Sequence, residues 1–426
     1  MKPLPIRSIP LLILALWTAT PGTAGALSLT ECLNLAAAGN YSLAVTASDR
    51  LIAQEAITQA RSGFLPRVDF QGGYTLQAKP QAVNFGERGS IETQDGTYGF
   101  FNLSVTQTIY DFGRTASRRQ RASLLHEAAV QQYAGAEKDV FLQVVEAYFG
   151  ILEARRLLGT AEEEVAQRTD HLRIATNLFE QGVVTRNDLL QAQVRLAEST
   201  QKRLVAANRL ENRWMYLNHL TGRPLDRRDE LEEGTESAMP DTAGAEERAF
   251  ATRPELAALA RSADAADAEV SEARSGYYPE LYAKAGIDYV ENSKVREQAI
   301  YAATVGLKIN LFEGFSTESR HRQSVERLTR SRDALRLARE QVRLELATAL
   351  NDARVAEQRI KSVETAIRQG EENLRINRDR YQAQVGTATD VLDAQTLLTQ
   401  IKTDYHRAVF DFQVAKARVS KAMGEL

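Results

Sequence analysis

Two short segments carry the residues best placed to do chemistry. Thr185-Arg186-Asn187-Asp188 and Thr387-Ala388-Thr389-Asp390 each set a hydroxyl three residues ahead of a carboxylate. That is the spacing of a capping box. The threonine accepts the backbone N–H of the third helical residue, and the acid accepts the threonine's own N–H. A carboxylate at a helix start is also favoured by the helix dipole. Capping therefore accounts for Asp188 and Asp390, at least in part. What these residues offer is charge placement, and nothing indicates catalysis. There is no Gly-rich phosphate loop, no zinc-protease motif and no nucleophile elbow. His171 beside Asp170 reads as a surface pair on a helix. The five histidines stand at 126, 171, 219, 321 and 406, with no pair at ligand spacing. A single cysteine, Cys32, excludes an internal disulfide or a multi-cysteine metal site. We expect no enzyme activity, no cofactor and no bound metal.

The bulk properties narrow the class. The chain has 426 residues, 43% apolar and 26% charged, with a formal charge of −3 from 53 basic and 56 acidic residues. No basic excess marks a nucleic-acid binder. A mean hydropathy of −0.35 and a single apolar run exclude a helical membrane protein, though not a transmembrane β-barrel, whose strands are only half apolar. That one run, residues 9–17, follows Lys2 and Arg7 and precedes Ala24-Gly25-Ala26. It reads as a cleaved signal peptide over 1–26. Glu31 before Cys32 argues against a lipid anchor, so Cys32 reads as a free thiol.

The elements that must position the acids come as a duplication. Ala60-Arg61-Ser62-Gly63-Phe64-Leu65-Pro66 recurs 213 residues later as Ala273-Arg274-Ser275-Gly276-Tyr277-Tyr278-Pro279. Residues 179–193 recur 202 later at 381–395, and Ile109-Tyr110-Asp111 as Leu311-Phe312-Glu313. One register shift of 11 residues separates the two offsets, placed by the longer of two loops, 79–98 against 290–300. We divide the chain into a first repeat, 27–220, a linker, 221–244, and a second repeat, 245–426. Asp393 matches Gln191, so capping does not explain it.

Each repeat has the same plan. A helix leads to a β-hairpin, at 67–110 and 280–312. A long helix follows, at 114–180 and 316–383, then a return helix, at 188–220 and 390–423. The long stretches lack proline and are rich in helix formers. Each would reach ~100 Å at ~1.5 Å per residue, which implies coiled-coil packing. Gly63 and Gly276 stand where a left-handed cap would end a helix, with Pro66 and Pro279 three residues on. The hairpin strands alternate strictly: Val68, Phe70, Tyr74 and Leu76 oppose Arg67, Asp69, Gln71 and Thr75. Strands of ~9–12 residues can cross a membrane. The helices are committed to rods, so lipid is the better partner for the apolar faces. Four strands cannot close a barrel, and open edges are not tolerated in lipid. The chain must pool strands, and three copies would supply twelve. The fold class is mainly α with a small β part.

The motif Phe/Tyr-x-x-x-Val-x-Thr-x-x-Asp-Leu/Val-Leu-x-Ala-Gln, present twice, resembles the TolC-like outer membrane efflux protein family. The resemblance covers nearly the whole chain after the signal peptide. It implies a homotrimer with a twelve-strand barrel in outer-membrane lipid and a helical tunnel across the periplasm. It implies a passive exit duct of a tripartite efflux or type I secretion system, joined through a periplasmic adaptor to an inner-membrane pump. The turns 181–187 and 384–389 would form the periplasmic tip. Asp390 and Asp393 match acids that narrow the tunnel entrance in the family. Gly182, Val183, Val184, Thr185, Arg186, Val385, Gly386 and Thr387 would dock the adaptor. The chain departs from the pattern at Ala388, where some members carry an arginine. A latch through that arginine does not transfer, and the arginine stands instead at Arg186. The competing reading is a periplasmic coiled-coil adaptor with soluble β-domains, which should show only one helical hairpin.

Overall fold

The structure, a computed structural model, describes residues 26–233, 239–383 and 385–426. The expected signal peptide, apart from Ala26, lies outside the described residues, as does part of the linker. The first repeat runs α1 (Leu29–Gly39), α2 (Tyr41–Arg61), β1 (Arg67–Leu76), β2 (Ala82–Asn84), β3 (Ser90–Glu92), β4 (Thr97–Tyr110), α3 (Arg114–Glu180) and α4 (Arg186–Leu220). The second runs α5 (Ala245–Thr252), α6 (Pro254–Arg274), β5 (Glu280–Val290), β6 (Ala299–Lys308), α7 (Ser316–Gln382) and α8 (Ala388–Ala422). Shifting α2 by 213 residues gives the bounds of α6, and shifting α3 and α4 by 202 gives those of α7 and α8. The duplication is thus carried by whole elements.

The helices form a single-layer wall. Beside the sheet, α3 packs on α2 and α6, and α6 on α7. Towards the far end, α4 takes the place of α2 and α8 that of α6. The main core lies at mid-height, where α1 and the end of α4 meet the middle of α3. It gathers Val144, Tyr148, Ile151, Trp214 and Leu217. A second cluster joins Leu346 and Ala353 of α7 to Val419 and Met423 at the end of α8. Both put apolar residues of a return helix against a long one, at the height where the next segment starts.

The four long strands form one antiparallel sheet in the order β1-β4-β5-β6. The register puts every apolar set on one face. Phe70 pairs Leu103, Leu103 pairs Ile287, and Ile287 pairs Tyr301. Phe70, Phe101 and Tyr289 stack in a row, with centroids 6.3 and 5.0 Å apart. Among the described residues nothing covers this face, and Phe70, Tyr74, Tyr301, Val305 and Leu307 are exposed. On the other face, Asn102, Thr106, Lys284, Asp288 and Thr304 lie together.

Three local expectations are corrected. Gly63 and Gly276 do not adopt a left-handed cap. They sit inside one-turn 3-10 helices, Ser62–Phe64 and Ser275–Tyr277, and neither is among the positive-φ residues. At Gly63 the need for glycine is spatial: a Cβ there would lie 2.8 Å from Thr115 Cγ2 at the start of α3. The second hairpin ends at Lys308 rather than at 312. In the first repeat the matching strand β4 lies between two neighbours, whereas β6 is an edge. The loop 79–98 holds the short hairpin β2–β3, pinned to the other loop by Asn292 Nδ2 donating to Thr93 O at 2.9 Å and Ser293 Oγ to Asp95 at 2.8 Å.

Candidate functional site at the helix tips

The α3–α4 turn is built by its own backbone. Gly182 adopts φ +72°, its N–H meets Phe179 O, and the Val183 N–H meets Leu178 O, both at 2.9 Å. These two bonds make a Schellman ending, which wants glycine at the left-handed position. Thr185 then opens α4. Its Oγ1 accepts from the Asp188 N–H at 3.3 Å, and its N–H donates to Asp188 Oδ2 at 2.9 Å. The α7–α8 turn repeats the scheme: Val385 N–H meets Arg380 O at 2.9 Å, Thr387 N–H meets Asp390 Oδ2 at 3.0 Å, and Asp390 N–H meets Thr387 Oγ1 at 3.1 Å. Gly386 lies against the last turn of α7, where a Cβ would approach Arg380 Cβ to 3.1 Å. Position 384 lies outside the described residues.

Asp390 and Asp393 are both exposed and one turn apart on α8. The backbone N–H and hydroxyl of Thr387 hold the Asp390 carboxyl below the usual carboxylate range, with a smaller pull from Arg380. Among the described residues, neither acid forms an ion pair. Arg186 is likewise exposed with no ion pair among the described residues. Val183 and Val385 are exposed, and Val184 is half-buried. The tip thus presents two unpaired carboxylates, one free guanidinium and small apolar contacts.

Just behind the tip lies a cluster the sequence reading missed. Arg168 of α3 is buried and donates to Gln395 Oε1 of α8 at 3.0 Å and to Thr396 Oγ1 at 2.9 Å. Buried Glu164 lies 3.7 Å from Arg168 and takes Lys202 of α4 at 3.2 Å. The Glu164–Arg168 pair so links α3 to both return helices, Arg168 to α8 and Glu164 to α4. Burial lowers the Arg168 pKa, with Glu164 opposing. His171, one turn on, is only 6% exposed rather than a surface partner of Asp170. Its ring lies 6.2 Å from that of Tyr381, and burial followed by the Arg168 charge lowers its pKa. Asp170 faces outward to Arg173. A signal was available: at the 202-residue offset, Glu164, Arg168 and His171 match Ala366, Gly370 and Asn373. Three polar residues on one helical face, absent from the copy, mark a duty the copy does not share.

A bare-faced antiparallel sheet, continued by a one-layer wall of long helices with acids at its far end, is the build of an outer-membrane efflux protein. The chain belongs to the outer membrane efflux protein family, whose model matches residues 32–223 and 246–425. It is 24% identical to the outer membrane protein TolC of Vibrio cholerae over 99% of this chain and 96% of that one. It is 24% identical to the alkaline protease secretion protein AprF of Pseudomonas aeruginosa, over 86% and 78% of the two chains. The Campylobacter jejuni CmeC outer membrane channel shares the fold, with a TM-score of 0.82 and 15% identity over 93% of this chain and 85% of that one. Membership places the protein in the outer membrane, and its relatives are channel proteins.

Proposed function

We propose that three copies of this chain close into a duct that passively conducts cargo across the outer membrane and periplasm. The observation that carries this is the pair of open edges. β1 and β6 each have one unpaired side, and they are the sheet's two ends. Because neighbouring strands all run antiparallel, β6 of one copy can pair β1 of the next in the same sense. The helix wall has matching edges. On one side α2 and α4 leave Val45, Ile52, Val194 and Leu204 exposed, and on the other α7 leaves Leu337 and Leu344 exposed. Such an unlike pair of edges makes a head-to-tail ring. Two copies give eight strands and little lumen, whereas three give twelve around a water-filled bore. The bare apolar face then meets lipid and the polar face meets water.

Threefold symmetry would gather Asp390 and Asp393 into rings at the periplasmic entrance. Unpaired carboxylates in a narrow aqueous pore favour cations. The tips would dock a periplasmic adaptor joined to an inner-membrane pump. The relatives include a channel named for protease secretion, so an efflux or type I secretion system is the setting. The mass of the detergent-extracted particle tests the ring, and three chains per particle is the expected result. A monomer or dimer would overturn it. Single-channel recording of Asp393→Asn should then show reduced preference for cations over anions.

A further inference from the structure

An open crevice of about 610 Å³ separates α3 from the tip of the α7–α8 hairpin. That volume lies within the range of small-molecule sites. Its apolar wall is shared between the repeats, with Ile174, Val183 and Val184 on one side and Val391 on the other. Two of its polar groups, His171 and Arg378, make no hydrogen bond or ion pair among the described residues. His171 lines the crevice, is more than nine-tenths buried, and makes no hydrogen bond among the described residues. The ring nitrogens of His171 are not sealed off: they open on the crevice, where a ligand can reach them. At the mouth stands Arg378, exposed and without an ion pair among the described residues. Arg173, also on the rim, pairs only with exposed Asp170, so the charge balance at the opening is positive.

We propose that this crevice binds an amphiphilic organic anion. Its apolar body fills the seam between the two helical hairpins, its acid group meets Arg378, and a polar atom along it meets the neutral imidazole of His171. Such a molecule touches both tips at once and ties them together. Binding needs only the crevice of one chain. Any effect on conductance rests in addition on the channel reading.

The test uses the full-length protein in nanodiscs and 8-anilinonaphthalene-1-sulfonate as the probe. Val183→Cys places a thiol on the crevice wall, and Asn187→Cys places one on the tip outside it. Native Cys32 adds little background, because burial pushes its thiol up to about 12 and only the thiolate reacts. The probe should slow maleimide labelling at Val183→Cys in a saturable way and leave Asn187→Cys unchanged. Arg378→Gln should raise the half-protecting concentration about tenfold, the worth of one charged hydrogen bond. Arg378→Lys, which keeps the charge, should raise it less. Arg378 is on the surface, and each variant's particle size is compared with the parent to confirm folding. Equal protection at both cysteines, no protection, or indifference to Arg378→Gln would overturn the site. Protection at Val183→Cys in a protein that forms no conducting channel would uphold the site and count against the channel reading.

Discussion

α3 and α7 are the same element twice, 67 residues each, starting from the same kind of strand-to-helix break. Their surroundings differ. α3 has neighbours on both flanks and buries residues from Ala128 to Ala175, with Ile151 fully enclosed. α7 has neighbours on one flank only, and leaves Leu337 61% and Leu344 69% exposed on a helix that is otherwise strongly charged. Identical length with unequal cover leaves one flank of α7 apolar and bare. In the proposed ring, what α4 and α2 do for α3 inside one copy, another copy would do for α7.

The largest expected effect breaks that continuation. Leu337→Arg combined with Leu344→Arg should leave the helix content of a single chain intact, since both side chains already face solvent there. It should abolish the higher-mass particle, because two charges would enter an apolar seam. Retention of the assembled mass would remove α7 from the interface. The opposite experiment is Ile151→Ala on α3. It opens a cavity in the mid-height core and should cost about 2–5 kcal/mol, read as a shift of the denaturant midpoint. Leu344→Ala in the dissociated chain should move the midpoint far less.

Charges sharpen the same contrast. Arg168 on α3 and Arg375 on α7 each hold an acid one turn away on the same helix. The first pair is buried, and the second lies open to solvent. Arg168→Ala should cost about 3 kcal/mol, because Glu164 stays buried with only Lys202 to balance it. Arg375→Ala should cost less than about 1 kcal/mol. Equal costs would mean that α3 is less enclosed than its packing indicates.

Much of this plan was legible in the residues, for identifiable reasons. Period-2 alternation in 67–76 and 280–289 specifies which face is apolar, because successive side chains of a regular strand point to opposite faces. Proline-free runs and the repeat offsets placed both long helices within a residue or two. The glycine at 63 was misread because a glycine next to a helix end looks alike in sequence whether it serves a left-handed turn or a close approach. Only the position of Thr115, some fifty residues on, decides between them. The Glu164–Arg168–His171 face was missed for a related reason. On a helix this polar, burial depends on which neighbour arrives, and here α8 arrives from the other repeat.

Acid should act on the enclosed helix before it acts on the tips. The pKa of His171 is lowered in the folded chain relative to its ordinary value near 6.5. The unfolded chain therefore binds the proton first as pH falls. The contribution from a neutral His171 is fully present above about 6.5 and is lost as pH drops through the lower, folded value. The midpoint of unfolding should fall over that window, and His171→Gln, which cannot titrate, should flatten the profile. Asp390 is lowered too, so its share disappears only at more acid pH, below about 3.9. A profile unchanged by His171→Gln would mean the imidazole is not enclosed.

The smallest effect compares the two tips directly. Thr185→Ala and Thr387→Ala each remove one hydroxyl acceptor from the first turn of a return helix. Each should cost about 1 kcal/mol of local stability, the usual worth of such a cap. The backbone N–H of the capping residue keeps its bond to the acid in both variants, so neither turn should come apart. Yet the two losses should read out differently by amide exchange. Both turns keep the bond that closes the preceding helix, Val183 N–H to Leu178 O and Val385 N–H to Arg380 O. At the α8 start Asp390 and Asp393 stand one turn apart, and neither is in an ion pair among the described residues. Loss of the Thr387 hydroxyl removes part of what holds Asp390 ionised. Faster exchange at the Asp390 amide than at the Asp188 amide is therefore expected. Equal rates would show that the Thr387 hydroxyl does no more for Asp390 than the Thr185 hydroxyl does for Asp188.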